Sequence, residues 1–465
     1  MTKQRMDVDS LGEVQIAEGA AWGSQTQRAL ENFPISGVSI SHYPELINGL
    51  AAVKKACALA NRDLGVLPTE KAAIITEVCD DILAGQHHDQ FVVDVMQGGA
   101  GTSTNMNTNE VIANLGLLKL GAEFGSYGLL HPNDDVNRSQ STNDVYPTAI
   151  RLAVLARITP LVEAMQALTA AFDGKSAEFQ HIMKVGRTQL QDAVPMSLGA
   201  EFRGFATTIR EDIDRLRDLS SLLTEVNLGG TAIGTGINAP LNFGNAAVAH
   251  LCTITDKPLK LASDLIEASS DLGAFVMFSS ALKRVAIKLS KICNDLRLMS
   301  SGPRAGIGEI QLPPVQAGSS IMPGKVNPVI PEVVNQVCYQ AIGNDLTVTM
   351  AAEAGQFQLN AMEPVIIHKV LETMGSLTNA MTVLRSRCVE GIIADEARCR
   401  ALLENSLVNV TALAPVIGYE AATKLAKYAQ AHGLSLQAAA RPALPESLAE
   451  AALTELQPAA PEAAQ

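Results

Sequence analysis

Apolar residues at Leu198, Phe202, Phe205, Ile209, Ile213, Leu216, Leu219, Leu223 and Val226 are separated by gaps of three or four. That spacing lines one face of a helix and has the look of a bundle seam. At 1.5 Å per residue it predicts a helix roughly 40 Å long. A small domain cannot cover so long a stripe, so partner helices must come from elsewhere in the chain and from other subunits. Helical patterning also runs from near Leu46 to Gly65, over 69–85 with Thr69 as N-cap, around 264–300 and over 332–353. Shorter helices are expected after about 395. Residues 1–50 read as irregular, with breakers at Gly12, Gly19, Gly23, Pro34 and Gly37.

Several stretches lack any apolar period. Residues 97–110, QGGAGTSTNMNTNE, form either a polar loop or an array of aimed hydrogen-bond donors. Thr104 or Thr108 would cap a helix in the first case. A second such run, HPNDDVNRSQSTND, occupies 131–144, with His131 as a candidate positioning residue. GRTQLQD follows at 186–192, and two Gly-rich connections lie at 227–244 and 317–328. Segments of this kind carry function when a rigid helical scaffold presents them. The GxGxxG-like spacing in 229–236 is no dinucleotide fingerprint, because no strand or βαβ unit precedes it. The final QPAAPEAAQ is expected to fray.

Composition narrows the function. Of 465 residues 47% are hydrophobic and only 4% aromatic, which favours a helical protein of more than one domain. The formal charge of −13 excludes a basic nucleic-acid footprint, and an acidic ligand would need local cations to draw it in. Seven scattered cysteines include no CxxC, and the histidines show no metal-ligand spacing. With no apolar leader and no membrane-length run, the chain reads as a soluble cytoplasmic protein.

The richest chemistry lies in 317–328, AGSSIMPGKVNP, where two hydroxyls, one cation and two glycines form a loop suited to wrapping an anion. Together with 97–110, SQSTND at 139–144 and GRTQLQD, this loop resembles the signature segments of the aspartase/fumarase superfamily. The resemblance spans about residue 10 to 440. It implies an all-α subunit of three domains (1–142, 143–396 and 397–465), the central one a bundle of long helices. It further implies a homotetramer whose active sites each draw on three subunits, and elimination across a C–N or C–O bond to release fumarate. Removing a Cβ proton from such a dicarboxylate turns the neighbouring carboxylate into a doubly charged aci-carboxylate, which preorganised neutral donors stabilise. Thr102, Ser141, Thr142 and Ser320 match the family positions for that task. Lys325 and Asn327 match the clamp on the other carboxylate, and Asn143, Thr188 and Gln189 match the positions lining the leaving group. Ser319 matches the catalytic base, a role the resemblance alone supplies, since a resting serine hydroxyl is far too weak an acid.

Within the superfamily, QGGAGTS, GRTQLQDAVPM, EVNLGGTAIGTG, SKICNDLRLMSSGPRAG and Glu363 before Pro364 are similar to bacterial aspartate ammonia-lyases. Fumarases typically carry His at Gln189, and Gln cannot take up a proton at physiological pH. The implied reaction is therefore L-aspartate to fumarate and ammonia, with fumarate hydratase as the alternative and a non-catalytic member a third. The third predicts an eroded loop, whereas Ser319, Lys325 and Asn327 are all present. No organic cofactor is expected, and Mg2+ at most as an activator, because no carboxylate cage is visible. Three segments depart from the pattern: the fumarase-like WGSQTQRALENF, Ala200 where LGQE is usual, and the Ala/Pro/Glu-rich chain from Arg441.

Overall fold

The computed structural model describes residues 4–318 and 320–456. Helices dominate, and among the described residues four two-stranded ribbons join them, which the all-α expectation did not include. The N-terminal segment is ordered rather than irregular. Strands β1 (Gln4–Asp9) and β2 (Gly12–Ala17) form an antiparallel hairpin, and α1 (Ser24–Asn32) follows. Val14 and Ile16 bury themselves against Ala20 and Trp22, a pattern of two residues that is too short to read as a strand.

Helices α2 (Pro44–Asp63) and α3 (Thr69–Leu83) lie where the periodicity placed them. Thr69 is the first helical residue and not the cap; Pro68 holds the N-cap position with no side-chain hydrogen bond. The polar run at 97–110 is mostly helix, α4 (Thr102–Lys119), with Thr104 and Thr108 inside it. Periodicity failed here because α4 has no solvent face: Thr104, Asn105, Asn107, Thr108, Asn109, Glu110 and Asn114 are all buried. Most find a dedicated partner, as buried polar groups must. Asn107 bridges Val92 N and Gln90 O, Asn114 binds Ala21 O and Gly125 N, and Gln97 Oε1 accepts from Thr104 N at 3.0 Å. The Glu110 side chain accepts from Gly23, Gln25 and Thr26 N–H groups at 2.8–3.1 Å and from the Thr26 hydroxyl, which caps α1 from a distant helix.

Helix α5 (Thr142–Glu178) is 37 residues long. Pro147 lies inside it and cannot donate to the carbonyl four residues back. That freed carbonyl, Asn143 O, instead accepts from Asn227 Nδ2 at 2.9 Å. After the hairpin β3 (Met183–Thr188) and β4 (Gln191–Ser197) comes α6 (Leu198–Ser220), about 34 Å long and shorter than the apolar stripe predicts. Leu223 and Val226 finish the stripe from a 3-10 turn and from β5 (Glu225–Val226), and all nine positions are buried except half-buried Leu219. Next come α7 (Phe243–Thr255), β6 (Lys260–Leu261), α8 (Gly273–Met299), β7 (Ile310–Gln311), α9 (Val329–Glu353), α10 (Glu363–Arg387) and β8 (Ile393–Ala394). Helix α8 begins nine residues after the expected 264, behind a 3-10 turn at Glu267–Ser269. Five short helices close the described chain: α11 (Glu396–Asn405), α12 (Val410–Ile417), α13 (Tyr419–His432), α14 (Leu436–Ala443) and α15 (Glu446–Glu455). The QPAAPEAAQ tail lies outside the described residues.

Two compact units emerge. The first comprises Met1–Glu163, Asp212–Ala286 and Tyr339–Thr378; the second comprises Ala164–Glu211, Ile287–Cys338 and Asn379–Gln465. In the first, α2 packs between α3 and α7, and α4 packs on α1 and α3. In the second, Phe172, Phe179, Phe202 and Phe205 form an aromatic cluster with ring centroids 5.3–6.3 Å apart. Its C-terminal helices share a separate core of Leu413, Leu425, Leu436, Ala440, Ala443, Ala449 and Ala452, whose small side chains let α14 and α15 pack closely.

Candidate active site

The candidate residues fall into two groups, one in each unit. In the first unit the group is built on the N-termini of α4 and α5. Gly99, Ala100 and Gly101 all have positive φ, and Gly101, at +88°, is the N-cap of α4. A Cβ on Gly101 would lie 2.6 Å from the Tyr146 ring, so the close approach of α4 to α5 requires glycine. Thr102 follows, exposed, its hydroxyl donating to Gly99 O at 2.7 Å.

Ser141 caps α5. Its Oγ accepts from Asn143 N at 3.2 Å, and Asp144 Oδ1 reaches back to Ser141 N at 2.9 Å, a reciprocal capping box. The other oxygen of Asp144 accepts from Gly229 N at 2.9 Å and Thr231 N at 3.0 Å. Asp144 is fully buried; burial pushes its pKa up, while those three N–H groups and the nearby Lys54 favour the charged form. One carboxylate thus fastens the Gly-rich connection at 229–231 to the segment carrying Ser141, Thr142 and Asn143. Asn143 Nδ2 adds a bond to Ala232 O at 2.7 Å, which leaves its Oδ1 as the acceptor to offer a ligand. Thr142 Oγ1 accepts from Asn105 Nδ2 at 3.1 Å. His131 serves locally, its Nδ1 accepting from Asn133 and Asp134 N–H groups at 3.1 Å.

The second unit holds Thr188, Gln189, Ser320, Lys325 and Asn327. Thr188 ends β3, and Gln189 and Leu190 both take positive φ at the tip of the β3–β4 hairpin, exposed to solvent. A buried ion cluster anchors the hairpin's base. Glu309, with no solvent exposure, lies 2.9 Å from Lys184 Nζ and 2.8 Å from Arg187 Nη1, and Lys184 also pairs with Glu201. Ser406 ties Asp192 on β4. The signature loop closes at its neck: Asn327 Nδ2 donates to Gly318 O at 2.8 Å, and a Cβ on Gly318 would lie 2.0 Å from Lys325 O. Between these points Ser320 and Lys325 are exposed, with Gly324 at φ +82°. Ser319 lies outside the described residues.

Sequence reasoning missed the groups that hold these residues. Asp144 was legible as the last residue of an S-x-x-D capping box, and Lys54 falls on the buried stripe of α2 with Leu50 and Cys57. Glu309 gave no local signal. Among the described residues no cluster of three or more His, Cys, Asp or Glu could hold a metal ion. One described helix, α5, is long and apolar enough to cross a membrane, and 78% of its most apolar window is buried within the protein.

A family profile described as Lyase matches residues 12–343, and one described as Fumarase C C-terminus matches 410–453. The second match runs past Arg441, which corrects the expectation that the family pattern lapses there. An aspartate ammonia-lyase of Pseudomonas fluorescens is 60% identical over 430 residues, 92% of this chain and 90% of that protein. Another, from Escherichia coli (strain K12), is 55% identical over 416 residues, 89% of this chain and 87% of that one. A solved structure titled fumarate lyase:delta crystallin from Brucella melitensis bound to cobalt matches with a TM-score of 0.94 at 57% identity, covering 98% of this chain and 99% of that chain. A class II fumarase from Schistosoma mansoni matches with a TM-score of 0.90 at 32% identity, covering 95% of each chain. With the long helices and four polar segments of that fold in place, and relatives this similar over most of its length, the chain belongs to the aspartase/fumarase superfamily of lyases.

Proposed function

We propose that the chain catalyses the reversible anti elimination of ammonia from L-aspartate to give fumarate, the activity named for its bacterial relatives. The observation that carries this choice over hydration is Gln189 at the exposed hairpin tip: an amide neither takes up nor releases a proton, as the handling of water would require. The Oδ1 of Asn143, left as an acceptor, complements the substrate's amino group in the same way.

In this reading the Ser319 oxygen takes the Cβ proton. The electron pair left behind is held as an aci-carboxylate by Thr102, Ser141, Thr142 and Ser320. It then forms the carbon–carbon double bond as the Cα–N bond breaks and ammonia leaves past Asn143, Thr188 and Gln189. Lys325 and Asn327 hold the second carboxylate. Mg2+ enters only as an activator. The three-domain division at 142/143 and 396/397 and a cytoplasmic location belong to the same reading, the latter supported by seven free cysteines.

A homotetramer, with each site assembled from three subunits, completes it. Its support is the apolar stripe that α9 leaves in solvent: Tyr339, Ile342, Leu346 and Met350, at gaps of three and four, with Leu346 61% and Met350 65% exposed. The test offers L-aspartate and L-malate in parallel to purified protein and follows the ultraviolet absorbance of fumarate. Fumarate from aspartate alone is expected. Fumarate from malate alone would assign the chain to the hydratases, and neither substrate reacting in a folded tetramer would make it a non-catalytic member.

A further inference from the structure

Behind Thr142, in the first unit, a chain of buried groups leads to a lysine. Lys54 is completely buried, and its ammonium donates to Asn137 Oδ1 at 2.8 Å and Gln140 Oε1 at 2.9 Å. Asn105 Nδ2 donates to the same Asn137 Oδ1 at 3.3 Å and to Thr142 Oγ1 at 3.1 Å. Asn105 is itself 1% exposed, and its Oδ1 has no hydrogen-bond partner.

These contacts fix one another in sequence. Asn137 Nδ2 donates to Gln140 O at 3.4 Å, so Asn137 keeps its oxygen toward the Lys54 N–H groups. With that oxygen in place, Asn105 cannot flip, because its own oxygen would then face Asn137 Oδ1. Asn105 therefore keeps its NH2 toward Thr142, although this leaves a buried acceptor empty, which costs free energy. Thr142 Oγ1 already accepts from Asn105, so its hydroxyl proton must point away from Asn105. Burial pushes the Lys54 pKa down to about 7, while the Asp144 carboxylate acts in the opposite direction.

We propose that Asn105 is a positioning residue which, locked in one orientation by Lys54 through Asn137, forces the Thr142 hydroxyl to serve as a donor to the substrate carboxylate. This rests on the lyase reading above and extends it. Donors fixed before reaction are worth most where charge develops in the transition state, and loss of one oxyanion donor lowers kcat by about 100- to 1000-fold. Asn105→Asp puts an acceptor opposite Thr142 and recaptures its proton. It should lower kcat for aspartate by roughly that factor with little change in KM.

A structural role could mimic the loss, so the deciding readout is a double-mutant cycle with Thr142→Val. If Asn105 acts through the Thr142 hydroxyl, Asn105→Asp should lower kcat much less in the Thr142→Val background than in the wild type. Additive losses in a folded tetramer would overturn the proposal, as would an Asn105→Asp enzyme with wild-type kcat. Should Asn105→Asp fail to assemble, Asn105→Ala supplies the same cycle with a smaller first step, and additivity there is equally decisive. Wild-type protein assayed alongside separates the two levels. No fumarate from aspartate refutes the lyase reading, whereas wild-type turnover with an additive cycle refutes only the role of Asn105.

Discussion

Asp144→Asn isolates the joint on which the first group of site residues depends. The carboxylate satisfies three backbone N–H groups, Ser141 through one oxygen and Gly229 and Thr231 through the other, at 2.9–3.0 Å and with no solvent exposure. An asparagine has one acceptor oxygen. Turned toward Gly229 and Thr231, it leaves Ser141 N facing the new NH2; turned the other way, it abandons two donors. Each unpaired buried donor costs about 1–3 kcal/mol, so the better orientation, with its donor-to-donor contact, loses roughly 2–5 kcal/mol. That loss is local, and amide hydrogen exchange reads it directly. Since about 1.4 kcal/mol is tenfold in an equilibrium constant, exchange in peptides spanning 139–145 and 227–233 should quicken by roughly 30-fold to 3000-fold. Peptides from α13 should not change, and kcat/KM for aspartate should fall with the misplacement of Ser141 and Thr142. Exchange within threefold of wild type at both segments would show that the carboxylate is not what fastens them.

Other perturbations probe the remaining parts. Gly318→Ala forces a Cβ to within 2.0 Å of a backbone carbonyl, so the neck of the signature loop must open; kcat should collapse while the thermal midpoint holds, and an active variant would refute the closed neck. Ser319→Ala should abolish turnover and retain substrate-analogue binding, and an unchanged kcat would remove Ser319 from the role of base. Lys325→Ala should raise KM for aspartate by at least about tenfold, the low end for a lost charged hydrogen bond, and an unaltered KM would direct that cation elsewhere. Glu363 is fully buried, and burial pushes its pKa from 4.5 to about 8 despite Arg151. Its folded-state pKa is thus raised: between about 4.5 and 8 the native state holds a proton that the unfolded state has lost, and stability falls as pH rises through that window. Thermal midpoints measured from pH 5 to pH 8 should therefore decline less for Glu363→Gln than for wild type, and parallel curves would refute the assignment.

Where an element buries one face, the sequence announced it. Helix α3, the stripe of α6 and the α9 region all stood out because apolar residues recur every three or four positions. Helix α4 did not, because its first half buries amides and hydroxyls on every side, several of them bonded to loops such as those at 21 and 90–92, and a hydropathy pattern has no view of such partners. The hairpin at 183–197 hid for a different reason: its strands are short and pair only with each other, and the turn at Gln189 and Leu190 uses residues that do not advertise positive φ. The candidate site residues were named through the superfamily signatures. The groups that orient them were not, since Lys54, Asn105 and Glu309 gain meaning only from side chains brought to them by the fold.

The side chain of Glu110 has a consequence for how the chain acquires its shape. Gly23 leaves the ribosome 87 residues ahead of the side chain that receives its N–H group. Helix α1 has nine residues, no acidic residue in its first turn and no side-chain cap of its own. A helix that short is marginal in isolation. During synthesis the N-terminal segment must therefore wait, unfixed, until α4 has emerged and buried its polar side. The first helix made is therefore fixed only after the fourth has emerged.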